Sequence, residues 1–274
     1  VEKADVRKYV RFNSAVRHVE FHPDSKQFSV TVHNHVTDEM YTETFDFVVV
    51  ASGHFSTPRI PEYEGFGSFG GRILHAHDFR DALEFKGKNV LLVGSSYSAE
   101  DIGSQCYKYG AKQIISCYRS SPMGYHWPEN WSERPQLLRV DQTHAYFADG
   151  SSAEIDAIIL CTGYLHSFPF MSESLRLKTD NILYPLHLYQ GVVWEANPQL
   201  FYLGMQDQWY SFNMFDAQAW YARDVMLGKI ALPSFAEMQA DTQAWHEQEK
   251  TLQDAAAMFK SVSYTHLTLP TTPY

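Results

Sequence analysis

The chain contains two similar runs of apolar residues, and each run predicts a buried β-strand. Residues 45–58 read FDFVVVASGHFSTP, and residues 155–168 read IDAIILCTGYLHSF. In both runs an acidic residue precedes the apolar residues, and a turn containing glycine follows them. Continuous apolar runs rich in β-branched residues are typical of strands that are covered on both faces. Two such copies predict two nucleotide-binding domains.

The segment between the two runs predicts a strand–helix–strand unit. Asn89–Val93 and Gln113–Tyr118 are short and mainly apolar and predict strands, and Ala99–Tyr109 has the pattern of a helix. Two parallel strands joined by a helix form the βαβ unit of nucleotide-binding folds. We therefore predict an α/β protein with two Rossmann-like dinucleotide-binding domains, one inserted into the other.

A turn of small residues joins the first strand of this unit to its helix. Residues 91–100 read LLVGSSYSAE, in which Gly94, Ser96 and Ala99 stand at the three glycine positions of a G-x-G-x-x-G pattern. Gly94 permits a tight turn, Ser96 lets the backbone approach a pyrophosphate, and Ala99 lets the helix pack close to the strand. We predict that this turn binds the phosphates of a dinucleotide. The alternative is a turn of small residues without a ligand.

The end of the next strand predicts which dinucleotide is bound. The sequence there is Tyr118-Arg119-Ser120-Ser121. A cation at this point suits a ribose 2′-phosphate, whereas an acidic residue would suit a free 2′-hydroxyl. The sequence therefore favours NADPH over NADH, unless Arg119 only lies on a solvated loop.

Further patterns predict two hairpins and two helices. The hairpins are Phe28–Val32 with Tyr41–Phe45 and Leu137–Val140 with His144–Phe147, the second turned by Asp149-Gly150, and the helices lie near Asp216–Leu227 and Phe235–Lys260. Ser234 and Glu237 predict a capping box at the start of the last helix. Proline and glycine residues from Pro58 to Gly71 predict the crossing between the two domains.

Composition excludes several classes of protein. A net charge of −10 over 274 residues argues against a nucleic-acid-binding surface. The longest apolar runs are far too short to span a bilayer, so we expect no membrane segment and a cytoplasmic protein. The three cysteines are scattered through apolar stretches, which predicts buried thiols rather than a disulfide framework. His75 and His77 are closely spaced, but no third ligand accompanies them, and we expect no metal site.

One segment resembles a known family. Residues 69–79 read FGGRILHAHDF, which matches the pattern F-x-G-x-x-x-H-x-x-x-F/Y that identifies the flavin-containing monooxygenases. Baeyer–Villiger relatives carry Trp at the last position, where this chain has Phe79, so the resemblance favours oxygenation of a heteroatom. Residues 161–164 read CTGY and are similar to the second marker of the family, ATGY.

Within this family, residues 94–101 and 204–224 are most similar to the bacterial enzymes that oxygenate trimethylamine. That resemblance implies roles for individual residues. Tyr97, Asp207 and Trp209 would form the amine pocket and act in catalysis; Val16, Gln208 and Ser211 would contact FAD; and Gly94, Ser96, Tyr97, Ser98, Arg119 and Ser120 would contact NADPH.

The same resemblance assigns the domains. Residues 1–60 and 171–261 would form a truncated FAD-binding domain, and residues 61–170 an inserted NADPH-binding domain. Residues 262–274 match neither part and are expected to be a non-native tail. The first G-x-G-x-x-G of the family and an asparagine that supports the flavin are expected before Val1, so we expect this chain alone to be inactive.

The function implied is N-oxygenation of a small tertiary amine with NADPH and O2, converting trimethylamine to its N-oxide. The expected partners are an amine and O2, and the oligomeric state stays open between a monomer and a homodimer. Three alternatives remain: another N- or S-oxygenating monooxygenase, a pyridine-nucleotide flavin reductase, and a truncated homologue that binds NADPH without catalysis. The reductase class would usually carry a C-x-x-C motif, which the sequence lacks.

Overall fold

The chain folds into two compact units. A computed structural model describes residues 5–179, 184–206 and 211–251. The first unit combines the described residues of 1–54 and 166–274, and the second is Phe55–Leu165. The predicted crossing, Pro58–Gly71, therefore lies inside the second unit, whose first and last strands pair with each other.

The described ranges contain seventeen strands and three α-helices. In chain order they are β1 Ser14–His22, β2 Gln27–Asn34, β3 Glu39–Phe45, β4 Val48–Val50, β5 Thr57–Pro58, β6 Arg72–His75, β7 Asn89–Val93, α1 Tyr97–Lys108, β8 Gln113–Cys117, β9 Trp131–Arg134, β10 Leu137–Val140, β11 His144–Phe147, β12 Ser152–Glu154, β13 Ala157–Leu160, β14 Tyr164–Leu165, β15 Leu188–Tyr189, β16 Val193–Trp194, β17 Leu200–Tyr202, α2 Ser211–Met226 and α3 Phe235–Glu249. None of the helices in these ranges is long and apolar enough to cross a bilayer.

A five-stranded parallel sheet forms the centre of the second unit. Its order is β6-β13-β7-β8-β9. Ala157–Leu160 is buried along its whole length between β6 and β7, which confirms the prediction of a strand covered on both faces. Leu92 belongs to one apolar cluster and its neighbour Leu91 to another, because successive side chains of a strand point to opposite faces. The predicted α/β fold with a βαβ unit is confirmed.

Helix α1 packs against this sheet through a glycine. A Cβ atom on Gly103 would lie 2.2 Å from Trp131 Cη2 and 2.8 Å from Leu92 Cδ1. Ala99, which was predicted to allow this close packing, is also fully buried. The sequence pattern identified Ala99 but not Gly103 as a point of close packing.

A three-stranded antiparallel sheet, β10-β11-β12, packs within the same unit. The predicted hairpin is present, but its turn is wrong: Asp149-Gly150 joins β11 to β12, and Asp141 begins the turn between β10 and β11. Asp141 Oδ1 accepts hydrogen bonds from the amides of Thr143 and His144 at 2.9 and 2.8 Å. A hydrogen bond from the Tyr146 hydroxyl, together with these two backbone bonds, lowers the pKa of Asp141 to about 2.

The first unit contains two further sheets. Strands β1-β2-β3 are antiparallel, and the order β15-β16-β17-β4 combines antiparallel pairs with one parallel pair, β17 with β4. The predicted hairpin Phe28–Val32 with Tyr41–Phe45 is part of the first of these sheets, but β1 was missed. Its alternation is interrupted by charged residues such as Arg17 and Glu20, so its apolar pattern is weak.

The strand predicted within residues 45–58 is not buried on both faces. In the structure it is the three-residue strand β4, whose neighbour within the described residues is β17. Val49 is 39% exposed and Phe47 is 38% exposed. The apolar run predicted a strand correctly, but such a run does not show how many strands flank it.

The two C-terminal helices differ from their predicted bounds. Helix α2 begins at Ser211, earlier than predicted, whereas α3 begins at Phe235 as predicted. The capping box is confirmed, because the Ser234 amide donates to Glu237 Oε2 at 2.8 Å and the Glu237 amide donates to Ser234 Oγ at 3.4 Å. The prediction that this helix runs to Lys260 is wrong, because α3 ends at Glu249 with Lys250 as its C-cap. The expected tail at 262–274 lies outside the described residues.

Candidate dinucleotide-binding site

The turn after β7 needs a glycine at its first position. Gly94 has φ of +137°, and a Cβ atom there would lie 2.3 Å from the Cys161 carbonyl oxygen. The Gly94 amide donates to the Cys117 carbonyl oxygen at 3.0 Å. The turn is therefore tied to the ends of both neighbouring strands, β13 and β8, and no other residue fits without moving one of them.

Helix α1 begins directly after this turn. Ser96 is its N-cap residue in an extended conformation, yet the Ser96 hydroxyl makes no capping hydrogen bond. The Ala99 amide donates to the Ser96 carbonyl oxygen at 2.8 Å, which starts the helix. A helix that begins without a side-chain cap at a Gly turn is suited to bind an anion with its N-terminal end.

The loop after β8 lies beside the turn. Strands β7 and β8 pair in parallel, with Val93 opposite Cys117, so both strands end at the same edge of the sheet. The Ser95 hydroxyl donates to the Ser121 carbonyl oxygen at 3.3 Å and joins the two segments. Arg119 and Ser120 are exposed on this loop. The structure thus brings a glycine turn, a helix N-terminus and a cation together, and these groups fit a dinucleotide phosphate.

The segment at residues 69–79, which carries the family pattern, contains β6, an edge strand of the same sheet. Gly71 lies against the backbone directly before β13, because a Cβ atom there would be 2.2 Å from the Asp156 carbonyl oxygen. His75 ends β6, is 3% exposed and meets the Tyr164 ring edge-on at 5.2 Å between centroids. Burial lowers the pKa of His75. Phe79 stacks on Phe85 at 6.0 Å. These residues pack the sheet and position the second marker of the family.

The three cysteine thiols are free and buried. Burial raises the pKa of Cys117 to about 11 and the pKa values of Cys106 and Cys161 to about 12. Thiols with such pKa values are protonated at neutral pH and are poor nucleophiles. They are unsuited to the thiol–disulfide exchange that a dithiol reductase would need.

The other predicted site residues lie on separate elements of the two units. Tyr97 is 50% exposed on the first turn of α1, where Ser98 is partly buried. Val16 lies on β1 in the first unit and is 41% exposed. Ser211 begins α2. Asp207, Gln208 and Trp209 lie outside the described residues.

A buried polar network in the first unit was missed from the sequence. Gln218 on α2 accepts from the Gly204 amide at 2.8 Å and donates to Gln206 Oε1 at 2.8 Å. Gln206 Nε2 in turn donates to the Gly191 carbonyl oxygen at 2.7 Å. Both glutamine side chains are buried. The signal that indicates them is a glutamine on the inner face of a helix, which is costly to bury without such partners.

Two imidazoles extend this network. His54 Nδ1 lies 2.8 Å from the Gly204 carbonyl oxygen, and His166 Nε2 lies 3.0 Å from the Met205 carbonyl oxygen. The two rings stack at 5.1 Å. Burial lowers the pKa of His166 and so favours its neutral form. Together with the two glutamines, these side chains fix the backbone of residues 204–206.

Comparison with known proteins identifies the family. The family described as "Flavin-binding monooxygenase-like" matches this chain over residues 1–126 and 130–267. The chain is 60% identical over 255 residues to trimethylamine monooxygenase of Roseovarius nubinhibens, covering 93% of this chain and 57% of that protein. It therefore spans little more than half the length of this curated relative.

Solved structures agree with this result. The structure of Tmm from Pelagibacter sp. strain HTCC7211 matches with a TM-score of 0.91 at 49% identity, over 97% of this chain and 61% of that one. S-allyl-L-cysteine S-oxygenase from Allium sativum matches with a TM-score of 0.83 at 25% identity, over 96% and 62%. The family match covers almost the whole chain, and a relative is 60% identical to it. The chain therefore belongs to the flavin-binding monooxygenase-like family.

Proposed function

We propose that the protein containing this chain is a flavin monooxygenase that uses NADPH and O2 to convert trimethylamine to trimethylamine N-oxide. The observation that carries the proposal is the 60% identity over 93% of this chain to an enzyme named for that substrate. The Gly94 turn with Arg119 beside it supports the NADPH requirement. The protein would work in the cytoplasm, where its buried thiols stay reduced.

Each unit would hold one cofactor. Gly94, Ser96, Tyr97, Ser98, Arg119 and Ser120 of residues 61–170 would hold NADPH, and Val16, Gln208 and Ser211 of residues 1–60 and 171–261 would contact FAD. FAD, when bound, supplies the redox chemistry by which electrons from NADPH activate O2 and one oxygen atom reaches the amine nitrogen.

Within the second unit, the chain contributes binding and discrimination. The Gly94 backbone would approach the pyrophosphate as no bulkier residue allows, and the N-terminal end of α1 would face the phosphate charge. The Arg119 guanidinium would form a charge-assisted pair with the 2′-phosphate. This pair would select NADPH, because NADH carries only a hydroxyl at that position.

The amine pocket would be formed by Tyr97, Asp207 and Trp209. A carboxylate attracts a methylammonium cation, and an indole face binds a small amine through its π electrons. His166 and Gln218 would act as positioning residues, because they hold residues 204–206 directly before this segment. The pocket would then present its polar groups in one orientation and exclude water.

A substrate panel tests the proposal in the protein at its natural length. Trimethylamine should support NADPH-dependent O2 consumption with formation of the N-oxide, and dimethyl sulfide should be a weaker substrate. Higher activity with the sulfide would favour the S-oxygenating alternative. Reduction of an added electron acceptor without O2 consumption would favour the flavin reductase.

Substitutions test the pocket. Asp207→Ala and Trp209→Ala should retain flavin reduction by NADPH but form less N-oxide and release more hydrogen peroxide. Trp220→Ala is the matched control, because Trp220 is 52% exposed on α2. Full coupling in both pocket variants would show that these side chains have only a structural role.

A further inference from the structure

Two cavities lie in the first unit, and none of their lining residues belongs to the cofactor or amine sites proposed above. One cavity of about 380 Å³ is lined by His187 and Glu195 on one side and by Ala240 and Thr242 of α3 on the other. A second cavity of about 340 Å³ is lined by Glu195 together with Pro198, Phe235 and Met238. Both volumes are at the lower end of the range for small-molecule sites.

Glu195 is the side chain common to the two cavities, and it is almost completely buried. The residue is 4% exposed. Its Oε1 atom has no hydrogen-bond partner among the described residues. Its Oε2 atom lies 3.9 Å from Nδ1 of His187, a side chain that is 61% exposed. A carboxylate buried in this way is strongly unfavourable unless a cation or a donor accompanies it.

A second unsatisfied group lines the first cavity. Thr242 is 4% exposed, and its hydroxyl has no hydrogen-bond partner in the described part of the chain. A hydroxyl is able to accept from an N–H or O–H donor of a ligand or to donate to its acceptor. Two residues that line the same cavity therefore each carry a buried oxygen, Glu195 Oε1 and Thr242 Oγ1, that has no hydrogen-bond partner among the described residues.

The lining determines the chemical class of the ligand. The charge of Glu195 requires a cation. The described residues contain no group of three His, Cys, Asp or Glu side chains that would hold a metal ion. Pro198, Phe235 and Met238 make the second cavity largely apolar. A ligand with an ammonium head and an apolar body satisfies both requirements.

We propose that Glu195 is the anchor of a binding site for an organic ammonium ion, with Thr242 as a hydrogen-bonding group and the Pro198–Phe235–Met238 surface as the contact for the apolar body. Nothing in this proposal depends on the oxygenation reaction. The site lies in the first unit, and none of its residues belongs to the cofactor or amine sites proposed above.

Choline and its neutral isostere 3,3-dimethyl-1-butanol are matched probes, because they differ in the charge of one central atom. In the protein at its natural length, choline should raise the melting temperature and bind in a calorimetric titration, and the alcohol should do neither. Glu195→Gln keeps the shape of the side chain and should weaken choline binding by about tenfold or more. Glu20→Gln removes an exposed carboxylate of the same unit and should leave the binding unchanged.

Further variants separate loss of the site from loss of folding. Ala240→Phe fills the first cavity from an exposed position and should abolish choline binding while the protein melts cooperatively. Thr242→Val should weaken binding less than Glu195→Gln does. The proposal is overturned if choline does not bind the unmodified protein, if the alcohol binds equally well, or if Glu195→Gln binds choline with unchanged affinity. Lack of binding would indicate that a basic side chain already pairs with Glu195.

Discussion

Replacement of Gly94 by alanine tests the turn on which the dinucleotide site depends. The residue has φ of +137°, and an added Cβ would lie 2.3 Å from the Cys161 carbonyl oxygen. A backbone conformation that is almost restricted to glycine costs about 1–3 kcal/mol. Displacing the end of a packed strand costs about 1–3 kcal/mol more. We therefore expect Gly94→Ala to lower the free energy of unfolding by about 2–6 kcal/mol.

Gly87→Ala is the matched control. Gly87 also has a positive φ, +73°, but a Cβ there would have no atom within 4 Å. Its cost should be the conformational term alone, about 1–2 kcal/mol. Urea denaturation, followed by hydrogen exchange in peptides covering residues 89–117, measures both variants within the second unit.

The same pair of variants should differ in cofactor binding. The shift that relieves the contact at Gly94 moves the start of α1, so Gly94→Ala should weaken NADPH binding by about tenfold or more, whereas Gly87→Ala should not. Equal stability losses in the two variants would refute the role of the Cys161 contact. Unchanged NADPH affinity in Gly94→Ala would refute the placement of the phosphate at this turn.

Three further changes test other parts of the structure. Arg119→Ala should weaken NADPH by about 1.5–3 kcal/mol and leave NADH almost unaffected, as measured by titration of both cofactors. Tyr202→Phe removes a buried hydroxyl that donates to the Leu175 carbonyl oxygen at 2.6 Å and accepts from the Leu177 amide at 3.2 Å; urea denaturation should show a loss of about 1–3 kcal/mol. Burial lowers the pKa values of His75 and His166 below the ordinary 6.5, so the folded chain binds fewer protons, and its stability should be constant above that pH and fall as the pH decreases below it. A His166→Gln variant should show a shallower pH dependence.

The βαβ unit and its turn were predictable because their signals are local. Val90–Val93 is apolar throughout, a glycine follows it, and small residues open the helix. Parallel strands flanked by helices are buried on both faces, so a continuous apolar run by itself indicates such a strand. Residues 157–160 were predictable for the same reason.

The features that were missed depend on contacts between distant residues. The exposure of Val49 depends on how many strands flank β4, and β1 contains too many charged residues to be recognised from its pattern. Gly103 packs against Trp131 from another element. The Gln206–Gln218 hydrogen bond joins a loop to a helix. Neither partner alone indicates such a pairing in the sequence.

The burial of Glu195 also could not be predicted from the sequence. In the sequence it is one acidic residue in VVWEANP, and acidic residues are mostly exposed. Only the packing of α3 reveals that it is buried and lines two cavities. The burial of this carboxylate, with Oε1 lacking a hydrogen-bond partner among the described residues, is visible only in the fold.

Isotope labelling tests the central claim most directly. The protein at its natural length is supplied with NADPH, trimethylamine and ¹⁸O2, and the N-oxide is analysed by mass spectrometry together with NADPH consumption. A coupled monooxygenase should form one N-oxide with one ¹⁸O atom for each NADPH oxidised. Formation of hydrogen peroxide without labelled N-oxide, or NADPH oxidation that is independent of O2, would contradict the proposed function.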